Sequence, residues 1–220
     1  MDNIKQLDQT YIAPTYARFP VVLTGGKGSV LIGEDGKKYI DLGSGIGGNA
    51  FGACDAVWQK AICEQAAKLQ HTSNLYYTEP CVRLAALLCE RTGMQQVFFC
   101  NSGAETNECA IKVARKYGAE HLGADHTTIL TLKGSFHGRT LATLAATGQE
   151  VFHKDFLPLT PGFVYAEPDD LADVERVLDA NPCCAILFEA IQGEGGVIPL
   201  APAFIQGLEK LANERGLLLM

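Results

Sequence analysis

The chain has 220 residues, of which 47% are hydrophobic and 20% charged, and a formal net charge of −7. This composition is that of a globular protein with one or two domains. The negative charge disfavours general binding to nucleic acid or to anionic membranes. No apolar run reaches membrane-spanning length, and the polar N-terminus lacks the apolar stretch of a signal peptide. We therefore expect a cytoplasmic protein.

Cysteine and histidine placement argues against disulfides and metals. The eight cysteines contain no C-x-x-C pair, and several lie inside predicted helices or strands. Cys183 and Cys184 are adjacent in sequence, which does not suit a disulfide framework. The five histidines do not cluster either. We expect reduced thiols and no metal site.

The N-terminal part has little regular periodicity. Residues 1–20 are predicted to form an irregular arm. The Asp-Gly pair at 35–36 lies between two short apolar runs and indicates a hairpin turn. Residues 43–52 contain five glycines, which either let the backbone approach a ligand or form a flexible connector.

From residue 56 onward, helix and strand patterns alternate. Helices are predicted over 56–69, 79–91, 103–118, 139–146, 170–180 and 202–215, and strands over 96–100, 127–132, 163–166, 184–191 and from 217 onward. The alternation predicts an α/β fold whose mostly parallel sheet is covered by helices on both faces. Because the last strand pattern has barely begun at Met220, we expect a sheet that is incomplete at the C-terminus and a chain that is an N-terminal fragment.

Three motifs follow predicted strands at their carboxyl ends, where ligands bind in open α/β sheets. They are Asn101–Glu108, Gly134–Arg139 and Glu189–Gly196. In the first, a glycine turn leads into a helix, and Ser102 and Glu105 match a capping box. Free backbone N–H groups at such a helix start suit a phosphate, although an ordinary capped helix has the same pattern. A monophosphate fits better than a triphosphate, because the P-loop and dinucleotide motifs are absent.

The other two motifs place an aromatic ring and charged side chains beside glycines. Phe136 either lies against a flat heteroaromatic ring or packs in the core, and Arg139 either holds a carboxylate or forms a surface ion pair. His137 either donates to a ligand or simply packs. Glu189 ends an apolar strand and needs a partner, because an unpaired buried charge is costly. Glu194 either pairs reversibly with an arginine or is a solvated loop carboxylate.

The ordered set of motifs, with Tyr39–Leu42 and His71–Tyr77 ahead of it, resembles the signatures of the class III aminotransferases. It is most similar to the acetylornithine aminotransferase branch, over essentially the whole chain. The resemblance implies a fold type I transferase that uses pyridoxal 5′-phosphate and forms a homodimer. Residues 1–55 would then be an N-terminal arm and hairpin within the small domain, and residues 56–220 the first part of the large cofactor-binding domain.

The resemblance also implies roles for individual residues. The backbone of Gly103 and Ala104 would hold the cofactor phosphate, and Phe136 would stack on the pyridine ring. Arg139 would bind the substrate carboxylate. Glu194 would mask or release a second arginine further along the protein.

The resemblance assigns no catalytic residue within the chain. The Schiff-base lysine, and the aspartate that pairs with the pyridine nitrogen, are expected beyond Met220, and Lys133 is not given that role. Two departures stand out. Residues 52–56 lack the two histidines and the proline that the family often has, which leaves the local loop geometry open. Residues 45–47 lack the tyrosine expected of ornithine δ-aminotransferases.

The activity implied by the resemblance is transfer of the side-chain amino group of N-acetylornithine to 2-oxoglutarate, a step of arginine biosynthesis. One alternative keeps the class of enzyme and changes the amino donor to succinylornithine, ornithine, 4-aminobutyrate or an acyl-diaminopimelate. The other alternative is a truncated, non-catalytic chain without the Schiff-base lysine.

Overall fold

The computed structural model describes residues 3–220, which form two compact units. One unit reaches to Leu84, and the other comprises Ala85–Met220. The boundary between them lies within a helix that spans Glu79–Thr92. The division after residue 55 into an arm-and-hairpin part and a cofactor-binding part stays a prediction.

The first unit contains a small antiparallel sheet and helices. Its elements are α1 (Ile4–Tyr11), β1 (Leu23–Lys27), β2 (Val30–Gly33), β3 (Lys38–Ile40), α2 (Ala56–Lys68) and the first part of α3 (Glu79–Thr92). The strands lie in the order β1-β2-β3, and Leu31 of β2 pairs with Tyr39 of β3. The predicted hairpin is therefore confirmed.

Two elements of this unit were not predicted. The arm expected to be irregular contains α1, whose first turn is capped by the Asn3 side chain accepting from the N–H groups of Lys5 and Gln6. This helix buries no residue, although its Ile4, Leu7 and Tyr11 recur at helical spacing. Strand β1 contains Gly25 and Gly26, a residue type that is rare in strands.

The segment that departs from the family pattern has a defined structure. Asp55 caps α2 by accepting a hydrogen bond from the Trp58 N–H at 2.8 Å. Just before it, Ala53 exchanges two backbone hydrogen bonds with Gly28, at 2.8 and 2.9 Å. A side-chain cap and a backbone bridge thus fix the loop that the sequence left open.

The second unit contains a parallel sheet between helices. After the end of α3 it continues with α4 (Gly103–His121), β4 (Thr128–Leu132), α5 (Leu141–Ala146), β5 (Phe163–Ala166), α6 (Leu171–Ala180), β6 (Cys183–Leu187), β7 (Ile191–Gln192), β8 (Ile198–Pro199), α7 (Pro202–Arg215) and β9 (Leu218–Leu219). Four strands are parallel in the order β5-β4-β6-β9, and β7 pairs with β8 antiparallel. The parallel sheet that the alternating helix and strand patterns predicted is therefore present.

Helices cover both faces of the parallel sheet. On one face, α6 and α7 pack against Leu130, Leu132 and Ile186. On the other face, Ile111 and Ala114 of α4, together with the end of α5, pack against residues of β4 and β6. The fold prediction of a sheet sandwiched between helices is confirmed. Among the described residues, no helix is both long and apolar enough to cross a membrane.

Two strand predictions were wrong in detail. Residues 96–100 form no strand, since no ladder partner for them exists in residues 3–220, and Phe98 is 63% exposed. The strand predicted over 184–191 ends at Leu187. Phe188 still donates its backbone N–H to the Met220 carbonyl at 3.1 Å, and Ile191 and Gln192 pair instead with the strand Ile198–Pro199.

Candidate functional site

The start of α4 presents unused backbone donors. The Ser102 hydroxyl caps the helix by accepting from the Glu105 N–H at 3.2 Å. The return bond differs from the predicted capping box, because the Glu105 carboxylate accepts from the Asn101 N–H, at 2.6 Å, instead of from Ser102. The N–H groups of Gly103 and Ala104 donate to no group within the described part of the chain. They lie at the positive end of the helix dipole, where an anion is stabilised.

The loop after β4 packs directly on this helix start. A Cβ placed on Gly138 would lie 2.9 Å from the Ala104 Cβ and 2.5 Å from the Thr143 hydroxyl, so the approach requires glycine. The backbone of Gly138 also has φ +132°, which disfavours any other residue. From within α4, the Asn107 side-chain amide donates to the His137 carbonyl at 2.8 Å. The first and second sequence motifs therefore meet.

Phe136 and Arg139 lie together in this loop. The guanidinium carbon of Arg139 is 5.7 Å from the centre of the half-buried Phe136 ring, within cation–π range. The Phe152 ring packs edge-on against Phe136, with 5.7 Å between ring centres. Arg139 is exposed and has no ion-pair partner in residues 3–220. Its guanidinium is therefore available to an added carboxylate.

Glu189 joins the second and third motifs. One of its carboxylate oxygens accepts from the Phe136 N–H at 2.7 Å, and the other accepts from the Gly193 N–H at 2.8 Å. The sequence predicted that this carboxylate needs a partner, and the partners are two backbone N–H groups. A single side chain thus binds the ring-bearing loop and the glycine turn between β7 and β8.

Gln149 makes a second connection between the same two segments. Its side-chain N–H₂ donates to the Ser135 carbonyl at 3.2 Å and to the Glu194 carboxylate at 2.6 Å. The predicted alternatives for Glu194 were an arginine pair or a solvated carboxylate. The carboxylate is exposed, as in the second alternative, and one of its oxygens accepts from the neutral Gln149 amide. The third motif therefore lies beside the second.

Close backbone packing supports both connections. A Cβ on Gly195 would lie 2.4 Å from the Gly134 carbonyl oxygen. The buried Gln192 donates its side-chain amide to the Lys133 carbonyl at 2.8 Å. The turn that carries Glu194 is therefore seated on the start of the loop that carries Phe136 and Arg139.

His137 points away from solvent, with 4% of its surface exposed. Its backbone N–H donates to the Thr147 hydroxyl at 2.9 Å, while its buried Nε2 atom has no partner in the described part of the chain. Burial lowers the pKa of this imidazole to about 4, so the ring is neutral at pH 7.

A pH dependence of stability follows from His137. Between its ordinary pKa of 6.5 and its folded value of about 4, the unfolded chain binds a proton that the folded chain does not. The free energy of unfolding should therefore fall as the pH falls through this window, by about 2 to 3 kcal/mol at pH 4. Urea unfolding of the chain and of the His137→Leu variant, at pH 4 to 7, measures this. An equally steep loss in the variant would assign the effect to other groups.

Lys133 follows β4 but is engaged elsewhere. Its ammonium pairs with the Glu167 carboxylate, and this hydrogen bond and charge raise the pKa of Lys133. A lysine held protonated is a poor nucleophile. The observation agrees with the sequence analysis, which did not assign this lysine to the cofactor.

Comparison with known proteins agrees with the family resemblance of the sequence motifs. The sequence signature of the aminotransferase class-III family matches residues 11–220. The chain belongs to this family. It is 49% identical over 219 residues to the acetylornithine aminotransferase of Haemophilus ducreyi, covering 100% of this chain and 56% of that protein. It is 43% identical over 210 residues to the succinylornithine transaminase of Citrobacter koseri, covering 96% of this chain and 52% of that relative.

Solved structures agree on the fold. The ornithine aminotransferase of Toxoplasma gondii superimposes with a TM-score of 0.91 at 28% identity, covering 98% of this chain and 51% of that one. That enzyme was crystallised with oxidised glutathione and has partial occupancy of PLP at its active site. This class III aminotransferase chain spans about half the length of the curated relatives it matches.

Sequence reasoning missed several residues that build the site of this class III aminotransferase chain. Gln149 and Thr147 follow α5 and belong to no sequence motif. Their hydrogen-bond partners, Glu194 for Gln149 and His137 for Thr147, lie elsewhere in the sequence, so no local pattern indicates these contacts. Asn107 lay inside the first motif, one helical turn after Gly103. That spacing was a usable signal, since residues four apart share a helix face.

Proposed function

We propose that this chain is part of a class III aminotransferase that binds pyridoxal 5′-phosphate and transfers the side-chain amino group of N-acetylornithine to 2-oxoglutarate. The observation that carries the proposal is one cluster of three features. These are the unused N–H groups at the start of α4, the ring of Phe136, and the unpaired guanidinium of Arg139. The Gly138–Ala104 contact holds them together.

The cofactor fits the residues present. The N–H groups of Gly103 and Ala104 would take the phosphate, and no atom lies within 4 Å of a Cβ placed on Gly103. The face of Phe136 would carry the pyridine ring, with Phe152 supporting its edge. Bound pyridoxal phosphate would supply the electron sink for amino transfer. The chain supplies orientation and electrostatics around it.

Arg139 would bind the substrate carboxylate. Its planar fork can make two parallel hydrogen bonds to a carboxylate, which fixes both position and rotation of the substrate. The 5.7 Å between its guanidinium and the Phe136 ring places the carboxylate site beside the ring site. We propose that Glu194, held here by Gln149, exchanges this partner for an arginine in the remainder of the enzyme.

The choice of amino donor rests on similarity. Identity is 49% to an acetylornithine aminotransferase and 43% to a succinylornithine transaminase. Both names denote acylated ornithines, so an acylated ornithine is favoured over ornithine, 4-aminobutyrate or an acyl-diaminopimelate. A cytoplasmic homodimer that serves arginine biosynthesis completes the proposal.

Donor turnover tests the proposal directly. The intact enzyme containing this chain, loaded with pyridoxal phosphate, is given 2-oxoglutarate and one donor at a time, and glutamate formation is measured. We expect the highest kcat/KM with N-acetylornithine. Activity on 4-aminobutyrate with none on N-acetylornithine would refute the assigned donor.

The truncated, non-catalytic alternative requires that no lysine of this chain binds the cofactor covalently, and the ion pair of Lys133 with Glu167 makes this lysine a poor nucleophile. We expect that the 220-residue chain, treated with pyridoxal phosphate and then borohydride, gains no stoichiometric covalent adduct on a single lysine. Intact-mass measurement and peptide mapping provide the readout. A single fully modified lysine would mean that this chain carries its own cofactor lysine.

A further inference from the structure

Glu189 makes a contact pattern that loop packing alone does not require. It follows the end of β6 by two residues, and each of its two carboxylate oxygens binds a different loop. The acceptor distances of 2.7 and 2.8 Å are those of charge-assisted bonds. The two donors, Phe136 and Gly193, are 57 residues apart in sequence, yet both donate to the same carboxylate.

The position of each donor gives the contact a consequence. The Phe136 N–H belongs to the residue whose ring lies beside Arg139. The Gly193 N–H belongs to the turn that carries Glu194. Moving either backbone changes where a functional side chain of the proposed site lies.

We infer that Glu189 is a positioning residue, a carboxylate clamp that fixes the backbone of the Phe136 loop against the 193–196 turn. The purpose of this clamp, to hold the Phe136 ring against the cofactor, rests on the proposed function. The clamp itself requires an acceptor at both carboxylate positions. Glutamine offers one acceptor and one N–H₂ donor, so it cannot accept from both N–H groups.

Amide hydrogen exchange in the intact enzyme that contains this chain tests the clamp. In the Glu189→Gln variant, exchange should accelerate by roughly ten- to a hundredfold at the amide, Phe136 or Gly193, that loses its acceptor. It should accelerate less at the other amide, which keeps only a neutral acceptor in place of a charged one. Amides of α6 and β5 should keep their rates. Glu175→Gln is the matched control: it makes the same chemical change at an exposed position of α6 and should leave all of these rates unaltered.

The unaltered chain provides a test that needs no variant. Scalar coupling across hydrogen bonds should connect the amide nitrogens of Phe136 and Gly193 to the same side-chain carboxyl carbon of Glu189. Coupling to neither amide, or unaltered exchange at both amides in the variant, would overturn the clamp.

A third measurement separates the clamp from the proposed function. In the intact enzyme, Glu189→Gln should raise the Kd for pyridoxal phosphate by about tenfold, while Glu175→Gln leaves it unchanged. An unchanged Kd with accelerated exchange would overturn the positioning role toward the cofactor. An unaltered enzyme that binds no pyridoxal phosphate would refute the proposed function, and the exchange data would still decide the clamp.

Discussion

Replacing Gly118 with alanine is expected to lower the free energy of unfolding by about 4 kcal/mol, above the usual range of about 1 to 3 kcal/mol for overpacking. A Cβ at this position would lie 2.0 Å from the His126 carbonyl oxygen and 2.5 Å from the Cys184 Cβ. Both neighbours belong to the backbone or to its first side-chain atom, so neither can rotate away. Alanine gains about 1 kcal/mol of helix propensity over glycine, which is too small to compensate.

Gly207→Ala is the matched control for this prediction. It also lies within a helix, and a Cβ there would meet the Leu171 side chain at 2.3 Å. Because the ends of a leucine side chain can rotate, the loss should be no more than about half of that for Gly118. Urea unfolding followed by circular dichroism measures both variants. Equal losses would mean that α4 adjusts its distance from the sheet.

Helices with an apolar stripe were predictable because their own residues determine them. The stripe of Ile111 and Ala114 indicated the face that α4 buries, although the helix extends to His121, beyond the predicted end at residue 118. Strands depend on partners that the local sequence does not contain. Residues 96–100 have the composition of a strand and lack a partner in the described residues, whereas the Gly25-containing β1 pairs despite its composition.

The candidate site also combines features that local sequence determines with features that depend on distant residues. Glycine turns and charged side chains after apolar strands could be found by sequence, and the structure brings these motifs together as expected. Their connections could not be found, because Glu189 and Gln149 act through hydrogen bonds to residues that are 53 and 45 positions away. A side chain that binds distant backbone leaves no local pattern, so only the folded chain reveals its contribution.

Replacing Arg139 with alanine is expected to lower kcat/KM of the intact enzyme by about 10²- to 10³-fold for the amino donor. Removing one partner of a buried, hydrogen-bonded charge pair costs about 2 to 5 kcal/mol, and each 1.4 kcal/mol is a factor of ten. The substrate carboxylate would cover this exposed guanidinium, so the middle of that range applies. Arg139→Lys keeps the charge and loses the planar fork, so its kcat/KM should lie between the values of the unaltered enzyme and of Arg139→Ala.

Arg176→Ala provides the matched control for Arg139. Arg176 is also an exposed arginine, but it forms an ion pair with Asp173 on α6 and lies outside the candidate site. Exposed pairs of this kind contribute little, so kcat/KM should stay within about twofold. Steady-state kinetics with varied donor measures all three variants. If Arg139→Ala behaves like Arg176→Ala, then Arg139 is a surface residue, and the carboxylate site must be sought elsewhere in the enzyme.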